Sequence, residues 1–282
     1  MANYTAADIK ALRERTGAGM MDVKKALDEA NGDAEKALEL IRIKGLKGAT
    51  KREGRSTAEG LVAATVQTEG QQSVGVMVEV NCETDFVAKS APFIEFSNKV
   101  LAAAVSSGAE DVDSLLGTDV EGKPLSELVI EAGALLGEKV AVRRLARVAG
   151  ATVDAYLHKT SKDLPAQVGV LFAVEGEGDE VVAAAHDVAV HIAAYTPNYL
   201  NRDEVPAELV ESERRIADET ARAEGKPEGA LAKIVEGRLT GFFKENVLLD
   251  QPFAKDAKKS IAQVLEEAKA TPVAFARFRV GS

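Results

Sequence analysis

Apolar residues recur at helical spacing over residues 5–44, and two glycine-containing segments interrupt the pattern. Thr5 and Asp8 match a capping box, which predicts the start of a first helix. The segment Gly17-Ala18-Gly19 should end that helix, because glycine is a poor helix former. Asn31-Gly32-Asp33 predicts a second turn, and its aspartate can cap a third helix. We therefore expect a small bundle of three helices at the front of the chain.

The three front helices should share one apolar core. The positions that define it are Ile9, Leu12, Met20, Val23, Leu27, Ala37, Leu38 and Ile41. Residues 44–60 are instead basic and contain several glycines, which predicts a solvated linker. A docking strip for a partner is the alternative interpretation of this segment.

From residue 61 onward, the alternating pattern of strands appears between helical stretches. Residues 61–68 and 73–81 predict two strands joined around Glu69-Gly70, and alternate valines of the second strand should share one face. Further strands are predicted at 140–148, 153–157 and 272–280, and helices near 93–105, 125–135, 180–194 and 260–269. The mixture predicts an α+β fold.

A short internal repeat lies within the predicted strands. Residues 73–78, S-V-G-V-M-V, resemble residues 167–172, Q-V-G-V-L-F. Each segment follows a predicted strand and precedes an alanine-rich helix, so two related halves of one core would explain the repeat. Chance similarity between short valine-rich strands is the alternative.

Residues 206–245 predict an antiparallel helical hairpin. Pro206 suits a helix start, and Gly225-Lys226-Pro227 interrupts the helical pattern. Such a hairpin must pack against something, so we interpret it as an interaction arm. It is also a candidate surface for a homodimer, because the sequence leaves the oligomeric state open.

Composition narrows the class of protein. Hydrophobic residues make up 46% and charged residues 28%, as in an ordinary globular protein. No apolar run approaches the roughly 18 residues of a membrane span, and the first ten residues lack an apolar signal core. A net charge of -10 disfavours direct nucleic-acid binding, although residues 1–55 contain 12 basic and 9 acidic residues. We expect a cytoplasmic protein with a basic front and an acidic body.

Catalytic constellations are scarce in the sequence. It contains no G-x-x-x-x-G-K-[ST] loop that would cradle a phosphate. His186 and His191 are five residues apart, a spacing that does not bring ligands onto one helix face, and His158 lies elsewhere. Cys82, the only cysteine, has acidic neighbours that should raise its pKa. We expect no catalytic residue, metal or cofactor, and keep a zinc- or cysteine-dependent enzyme as the alternative.

Two longer stretches are more specific. Residues 12–27 read L-R-E-R-T-G-A-G-M-M-D-V-K-K-A-L, and residues 79–88 read E-V-N-C-E-T-D-F-V-A. Together with Val235–Arg238, Gln251–Phe253 and Arg277–Gly281, they resemble, in order, the signatures of the elongation factor Ts family. Many members continue into a C-terminal helical module, whereas this sequence ends at Ser282, so we expect contacts from that module to be absent or replaced.

The resemblance implies both a layout and an activity. Residues 1–55 would form a ubiquitin-associated-like bundle with its basic linker, 56–150 a first core subdomain, and 151–282 a second subdomain with the hairpin, about 206–245, inserted in it. The implied activity is guanine nucleotide exchange without covalent chemistry. The factor would bind elongation factor Tu in its GDP-bound and nucleotide-free states, disturb its Mg²⁺ and phosphate site, and promote GDP release so that GTP can bind.

The resemblance also implies which residues contact the partner. Those expected beside the partner's Mg²⁺ are Thr84, Asp85, Phe86 and Val87. Without the resemblance, a core role for Phe86 and a turn-capping role for Asp85 would be the simpler interpretation. Candidate docking residues in the front bundle are Arg13, Met20, Lys24 and Lys25, although Met20 fits the bundle core equally well.

Two further classes compete with nucleotide exchange. An adaptor with a ubiquitin-associated-like module would form complexes without releasing nucleotide. A ribosome or RNA binder is disfavoured by the acidic net charge.

Overall fold

The computed structural model describes residues 3–16, 18–70 and 72–282. Its front consists of helices α1 (Ala6–Thr16), α2 (Met20–Glu29) and α3 (Ala34–Arg52). The predicted capping box is confirmed, because the Thr5 amide donates to the Asp8 carboxylate at 2.7 Å and the Asp8 amide donates to the Thr5 hydroxyl at 3.2 Å. Asp33 caps α3 as predicted, accepting from two amides of its first turn. Gly17, part of the predicted break, lies outside the described residues.

A buried apolar cluster holds the front helices together. Its members are Leu12, Ala18, Val23, Ala26, Leu27, Ala30 and Ala37. Met20 shares the helical spacing of Val23 but is 58% exposed, since it is the first residue of α2. Met20 is therefore a surface residue, and the prediction that it could fill the bundle core is wrong.

The first sheet has three antiparallel strands in the order β1-β2-β5. This first half of the core consists, in chain order, of β1 (Glu59–Glu69), β2 (Gln72–Cys82), α4 (Asp85–Ala88), α5 (Ala91–Ser107), α6 (Val112–Gly117), β3 (Asp119–Val120), β4 (Lys123–Pro124), α7 (Leu125–Leu136) and β5 (Ala141–Gly150), with β3 and β4 paired as a separate small sheet. The predicted valine face of β2 is confirmed, because Val76, Val78 and Val80 are buried against α5 and α7 and Val74 packs beside them.

The second sheet has the order β10-β7-β6 and is also antiparallel. This second half of the core consists of β6 (Thr152–His158), β7 (Val168–Glu175), α8 (Asp179–Tyr195), α9 (Ala207–Ala223), α10 (Glu228–Asn246), β8 (Pro252–Phe253), β9 (Asp256–Ser260), α11 (Ile261–Glu267) and β10 (Thr271–Arg279), with β8 and β9 paired as a separate small sheet. Helices and strands occur in both halves, so the predicted α+β class is confirmed. Among the described helices, none combines the length and apolar character that crossing a membrane requires.

The helix α3 extends beyond its predicted end, because it packs on α7. The prediction of a linker from residue 44 is wrong for residues 44–52. A Cβ added to Gly45 would lie 2.3 Å from the Ala134 Cβ, so this glycine permits close approach of the two helices. Arg42 pairs with Glu127 and Glu131 of α7. Gly45, which belongs to the segment interpreted as a linker, thus serves contact between two helices, and Arg42 just before it adds ion pairs.

The two sheets pack face to face through small and apolar side chains. The buried members of this layer are Val62, Met77, Val148, Leu171, Ala173 and Phe278. The glycines of the internal repeat lie in it. A Cβ on Gly75 would come within 2.8 Å of Val153, and one on Gly169 within 2.5 Å of Val62. Both repeat segments therefore bring a backbone close to the opposite sheet.

The internal repeat extends to the strand register. Val76 of β2 pairs with Arg147, and Val170, its counterpart in β7, pairs with Arg277. Each arginine donates to a carbonyl near the end of the long helix of its own half. Arg147 reaches Ala104 O of α5 at 2.7 Å, and Arg277 reaches Ala193 O of α8 at 3.1 Å. Arginines at equivalent positions of the two sheets thus make equivalent hydrogen bonds to the long helices.

The predicted helical hairpin is confirmed as the pair α9 and α10. The break at 225–227 contains Gly225 with a φ of 72°, a conformation that favours glycine. Val235 and Leu239 of α10 are buried against Ala217 of α9. Arg214 of α9 also pairs with Glu236 of α10, so apolar contacts and surface ion pairs both join the helices.

Candidate functional site

The connection from β2 to α5 carries the candidate partner-binding residues. After Cys82 the chain turns at Glu83 and Thr84 and forms α4, a helix of four residues. Thr84 is its N-cap, and its hydroxyl accepts a hydrogen bond from the Val87 amide at 3.4 Å. The same hydroxyl donates to Glu138 Oε1 at 2.5 Å. We call residues 84–88 the Phe86 turn.

The side chain of Glu138, directly after α7, holds the start of the Phe86 turn. Its Oε2 accepts from the amides of Glu83 and Thr84, each at 3.0 Å. In return, the Glu83 carboxylate accepts from the Lys139 amide at 2.6 Å and from the Arg55 guanidinium at 3.2 Å. The two chain segments therefore clamp each other through carboxylate–amide hydrogen bonds, a strong type because the acceptor is charged.

Phe86 projects from this turn into solvent. It is 73% exposed, the largest exposed fraction among the large apolar side chains of the described residues. Its neighbour Lys89 places Nζ 4.5 Å from the ring centroid and pairs with the Asp85 carboxylate at 3.3 Å. Val87, on the other side of the turn, packs against the first core. The turn thus buries one apolar side chain and presents another.

The structure corrects the simpler interpretation of Phe86 and Asp85. Phe86 is exposed, so a core role is wrong. The cap of α4 is the Thr84 hydroxyl, whereas the Asp85 side chain forms an ion pair on the surface. An exposed aromatic ring beside a carboxylate is a surface suited to partner contact.

Cys82 is fully buried at the end of β2 and is poorly suited to nucleophilic chemistry. Burial, together with the charge of Glu138, raises the pKa of its thiol to about 12. Glu83 contributes to the increase as the sequence predicts, but burial is the larger cause. A thiol that stays protonated at neutral pH is a weak nucleophile, which argues against the cysteine-enzyme alternative.

The candidate docking residues of the front bundle lie on its surface. Arg13, Met20, Lys24 and Lys25 are all exposed. Within the described residues, neither Lys24 nor Lys25 has an ion-pair partner, so their charges face solvent. Met21 is also exposed, at 62%, and extends the apolar patch beside Met20.

The three histidines serve packing and local polar contacts. His191 is buried, hydrogen-bonds Gln251 at 2.9 Å, and has a pKa lowered by burial. His186 contacts Asp154 at 3.2 Å, and burial raises the pKa of that carboxyl. His158 contacts the Tyr156 hydroxyl. The part of the chain that the structure describes contains no group of three or more His, Cys, Asp or Glu side chains placed to hold a metal ion.

Two contacts at or near the candidate site were missed by sequence reasoning. Glu138 lies far from the Phe86 turn in sequence, and only its position after the αL glycine Gly137 could have marked it. The fully buried Glu79 pairs with Arg144, and Arg144 donates to Arg279 O at 2.7 Å. The resemblance motifs at 79–88 and 277–281 therefore meet in space, a contact that neither motif indicates alone.

Comparison with known proteins identifies the family. The family described as "Elongation factor TS" matches residues 83–282. Proteins named elongation factor Ts match over the full length of both chains, with identities of 84% in Renibacterium salmoninarum, 77% in Pseudarthrobacter chlorophenolicus and 73% in Micrococcus luteus. The family match contains the Phe86 turn and Glu138, and the full-length matches also contain Arg55 and both motifs that meet at Arg144. The chain therefore belongs to the elongation factor Ts family, a family of translation elongation factors.

Proposed function

We propose that this protein is a guanine nucleotide exchange factor for elongation factor Tu. It binds the GDP-bound partner, disturbs the Mg²⁺ and phosphate site, and promotes GDP release so that GTP can bind. The observation that carries the proposal is the Phe86 turn, which presents an exposed aromatic ring and a carboxylate on a short, clamped helix. No covalent step is involved, so the factor is not an enzyme in that sense.

The physical basis of exchange is mutual exclusion between two ligands of one partner. The factor weakens the binding of GDP by a certain free energy. Bound GDP weakens the binding of the factor by the same free energy, because coupling between two ligands is reciprocal. GDP is held largely through its phosphates and Mg²⁺, so a disturbance there acts on the strongest contacts. Phe86 would gain roughly 1.5–3 kcal/mol on burial in a partner pocket. Asp85 would rearrange polar groups near Mg²⁺ or compete with phosphate.

The front helices would form the second docking surface. Residues 1–55 would act as a ubiquitin-associated-like module on the nucleotide-binding domain of the partner, with Arg13, Met20, Lys24 and Lys25 at the contact. The remaining chain would divide into core subdomains 56–150 and 151–282, the second carrying the hairpin at about 206–245. We place the protein in the cytoplasm, where its partner acts. A homodimer through the hairpin stays a prediction.

The variant Phe86→Ala tests the central step. We expect it to keep the fold, because the ring is exposed, and to slow stimulated GDP release about 10–100-fold through loss of about 2 kcal/mol. The measurement is release of a fluorescent GDP analogue from purified elongation factor Tu. Val182→Ala is the matched control, since Val182 is 52% exposed at the start of α8. Wild-type release by Phe86→Ala would contradict the proposal.

The double variant Lys24→Glu/Lys25→Glu tests the docking surface. Reversing two solvent-facing charges should slow complex formation about tenfold at low salt, because such charges mainly steer association. The difference should shrink as salt increases, since screening weakens exposed charges. Stopped-flow mixing with the partner measures the rate, and Lys258→Glu, an exposed lysine of β9, is the control. Equal rates at all salt concentrations would place docking elsewhere.

A further inference from the structure

We propose that Glu138 is the positioning residue of the Phe86 turn, and this inference rests on the proposed exchange function. Glu138 does not need to touch the partner. Its carboxylate accepts three hydrogen bonds from residues 83 and 84, two from amides and one from the Thr84 hydroxyl. It thereby fixes the backbone from which Phe86 projects.

The Thr84 hydroxyl transmits this effect to α4. A hydroxyl has one hydrogen to donate and lone pairs to accept with. Its hydrogen goes to Glu138 Oε1, so a lone pair is left to accept from the Val87 amide, the bond that caps α4. Without Glu138, the hydroxyl loses the acceptor that orients it. The cap of the Phe86 turn therefore depends on a side chain of another element.

The Phe86 turn needs an outside anchor. A helix of four residues is too short to be stable alone, because the first turn is the costly part of helix formation. Phe86 itself is mostly exposed, and the ring contact found for it among the described residues is with the ammonium group of Lys89. The position of the ring is thus set by the backbone of the turn, and Glu138 holds the beginning of that backbone.

The same clamp reaches the end of the front helices. The ammonium group of Lys139 donates to the carbonyls of Glu53 and Arg55, just beyond α3, and Arg55 pairs with Glu83. Residues 138–139 therefore tie the exit of α3 and the start of the Phe86 turn to one point. This arrangement keeps the two proposed docking surfaces in a fixed relation.

A single tryptophan makes the position of the turn measurable without any activity. The chain contains no tryptophan, so Phe86→Trp introduces a unique fluorophore at the exposed site. On this background, Glu138→Ala should lower the fluorescence anisotropy of Trp at position 86 and Glu138→Gln, which keeps one oxygen acceptor, should lower it less. The control is Glu267→Gln, because the Glu267 carboxylate of α11 pairs with Lys259 far from the turn in sequence. This substitution should leave the anisotropy unchanged. Unchanged anisotropy in Glu138→Ala, with an intact fold, overturns the proposal.

The release assay then shows whether Glu138 acts through Phe86. We expect Glu138→Ala to lower the maximal stimulated rate about tenfold, as loosening of a positioned group does, with little change in the concentration for half-maximal stimulation. Glu138→Ala/Phe86→Ala should be no slower than Phe86→Ala alone, because both remove the same contribution. Additive losses overturn the positioning role. If Phe86→Ala releases GDP normally while Glu138→Ala still lowers the anisotropy, the positioning stands and the proposed exchange mechanism fails.

Discussion

The two halves of the core share one plan, but they differ in the elements that follow the long helix and in the connection that precedes it. Each consists of a hairpin, a long helix and a returning strand, and each uses an arginine at the same register position to reach its long helix. The first half joins its central strand to its helix through residues 83–90, whereas the second uses only 176–178. The longer connection contains the Phe86 turn. The common plan provides a scaffold, and the candidate site lies in one of the segments where the halves diverge.

The shorter connection shows what the first half adds. It is Gly176-Glu177-Gly178, and both glycines have positive φ, at 123° and 104°. A Cβ on Gly176 would lie 2.9 Å from Lys269 O, so this turn packs tightly with no aromatic side chain. The longer connection instead contains a capped helix and needs the Glu138 clamp to hold it. Extra length at this point therefore requires an extra anchor.

The largest expected effect on stability comes from substitutions that disrupt the packing between the two sheets. Gly169→Val should lower the free energy of unfolding by about 1–3 kcal/mol, because its Cβ would lie 2.5 Å from Val62 and 2.7 Å from the Met77 sulfur. Gly75→Val should cost less, since its nearest contact is 2.8 Å. Urea unfolding measures both changes.

A matched glycine variant separates overpacking from the general effect of replacing glycine. Gly237 lies in α10 with no atom within 4 Å of an added Cβ, so Gly237→Ala should stabilise by about 0.5–1 kcal/mol. If Gly169→Val proves as stable as the wild type, the two sheets have room to separate and the close packing at the repeat glycines is not a constraint.

A smaller effect tests whether the paired arginines are equivalent. Arg147→Met and Arg277→Met keep the apolar part of the side chain but remove the hydrogen bond to Ala104 O or Ala193 O. Each should cost about 1–2 kcal/mol, as loss of a charged hydrogen bond does. Thermal or urea unfolding gives the values, with Arg215→Met on the exposed face of α9 as control. A large loss of stability in only one of the two variants would mean that the two arginines share a geometry but contribute differently to stability.

The smallest expected effect is a difference between the long helices α5 and α8 in how their contribution to stability depends on pH. The helix α8 buries His191, whose pKa is lowered by burial, whereas α5 buries Ser97, which does not titrate in this range. The unfolded chain takes up a proton near pH 6.5 while the folded chain resists it. His191 therefore contributes stability above that pH, and this stability is lost as pH falls. Unfolding measured from pH 7.5 to 5 should show a weaker pH dependence in His191→Gln, and an unchanged dependence would contradict this assignment.

Sequence periodicity predicted the elements whose signals are local. The capping box at Thr5 and Asp8, the Asp33 cap, the valine face of β2 and the break at 225–227 depend on residues close in the chain, and all are confirmed. The repeat was visible in the sequence because the equivalent strands β2 and β7 both need a glycine where the opposite sheet comes close. Local patterns suffice where local chemistry decides the structure.

Contacts between distant segments were the part that the sequence did not reveal. Gly45 looked like a linker residue because its role depends on Ala134 of another helix, and the ion pairs of Arg42 likewise depend on Glu127 and Glu131 of that helix. Without the family resemblance, the exposure of Phe86 was likewise hidden, since an aromatic residue after a strand is compatible with core or surface. The one local signal at Glu138, its position after Gly137, was weak, because a carboxylate beyond a helix end is usually solvated.

The junction at Arg144 has a consequence for synthesis of the chain. Arg144 and Glu79, which are made early, complete their hydrogen bonds only with Arg279 and Gly281, and β10 pairs with β7 although residues 176–270 lie between the two strands. Until residues 271–281 have left the ribosome, the second sheet lacks one edge and the buried Glu79–Arg144 pair lacks its last partners. Closure of the core is therefore a late, long-range event, of the kind that slows folding and leaves apolar surface open in the nascent chain.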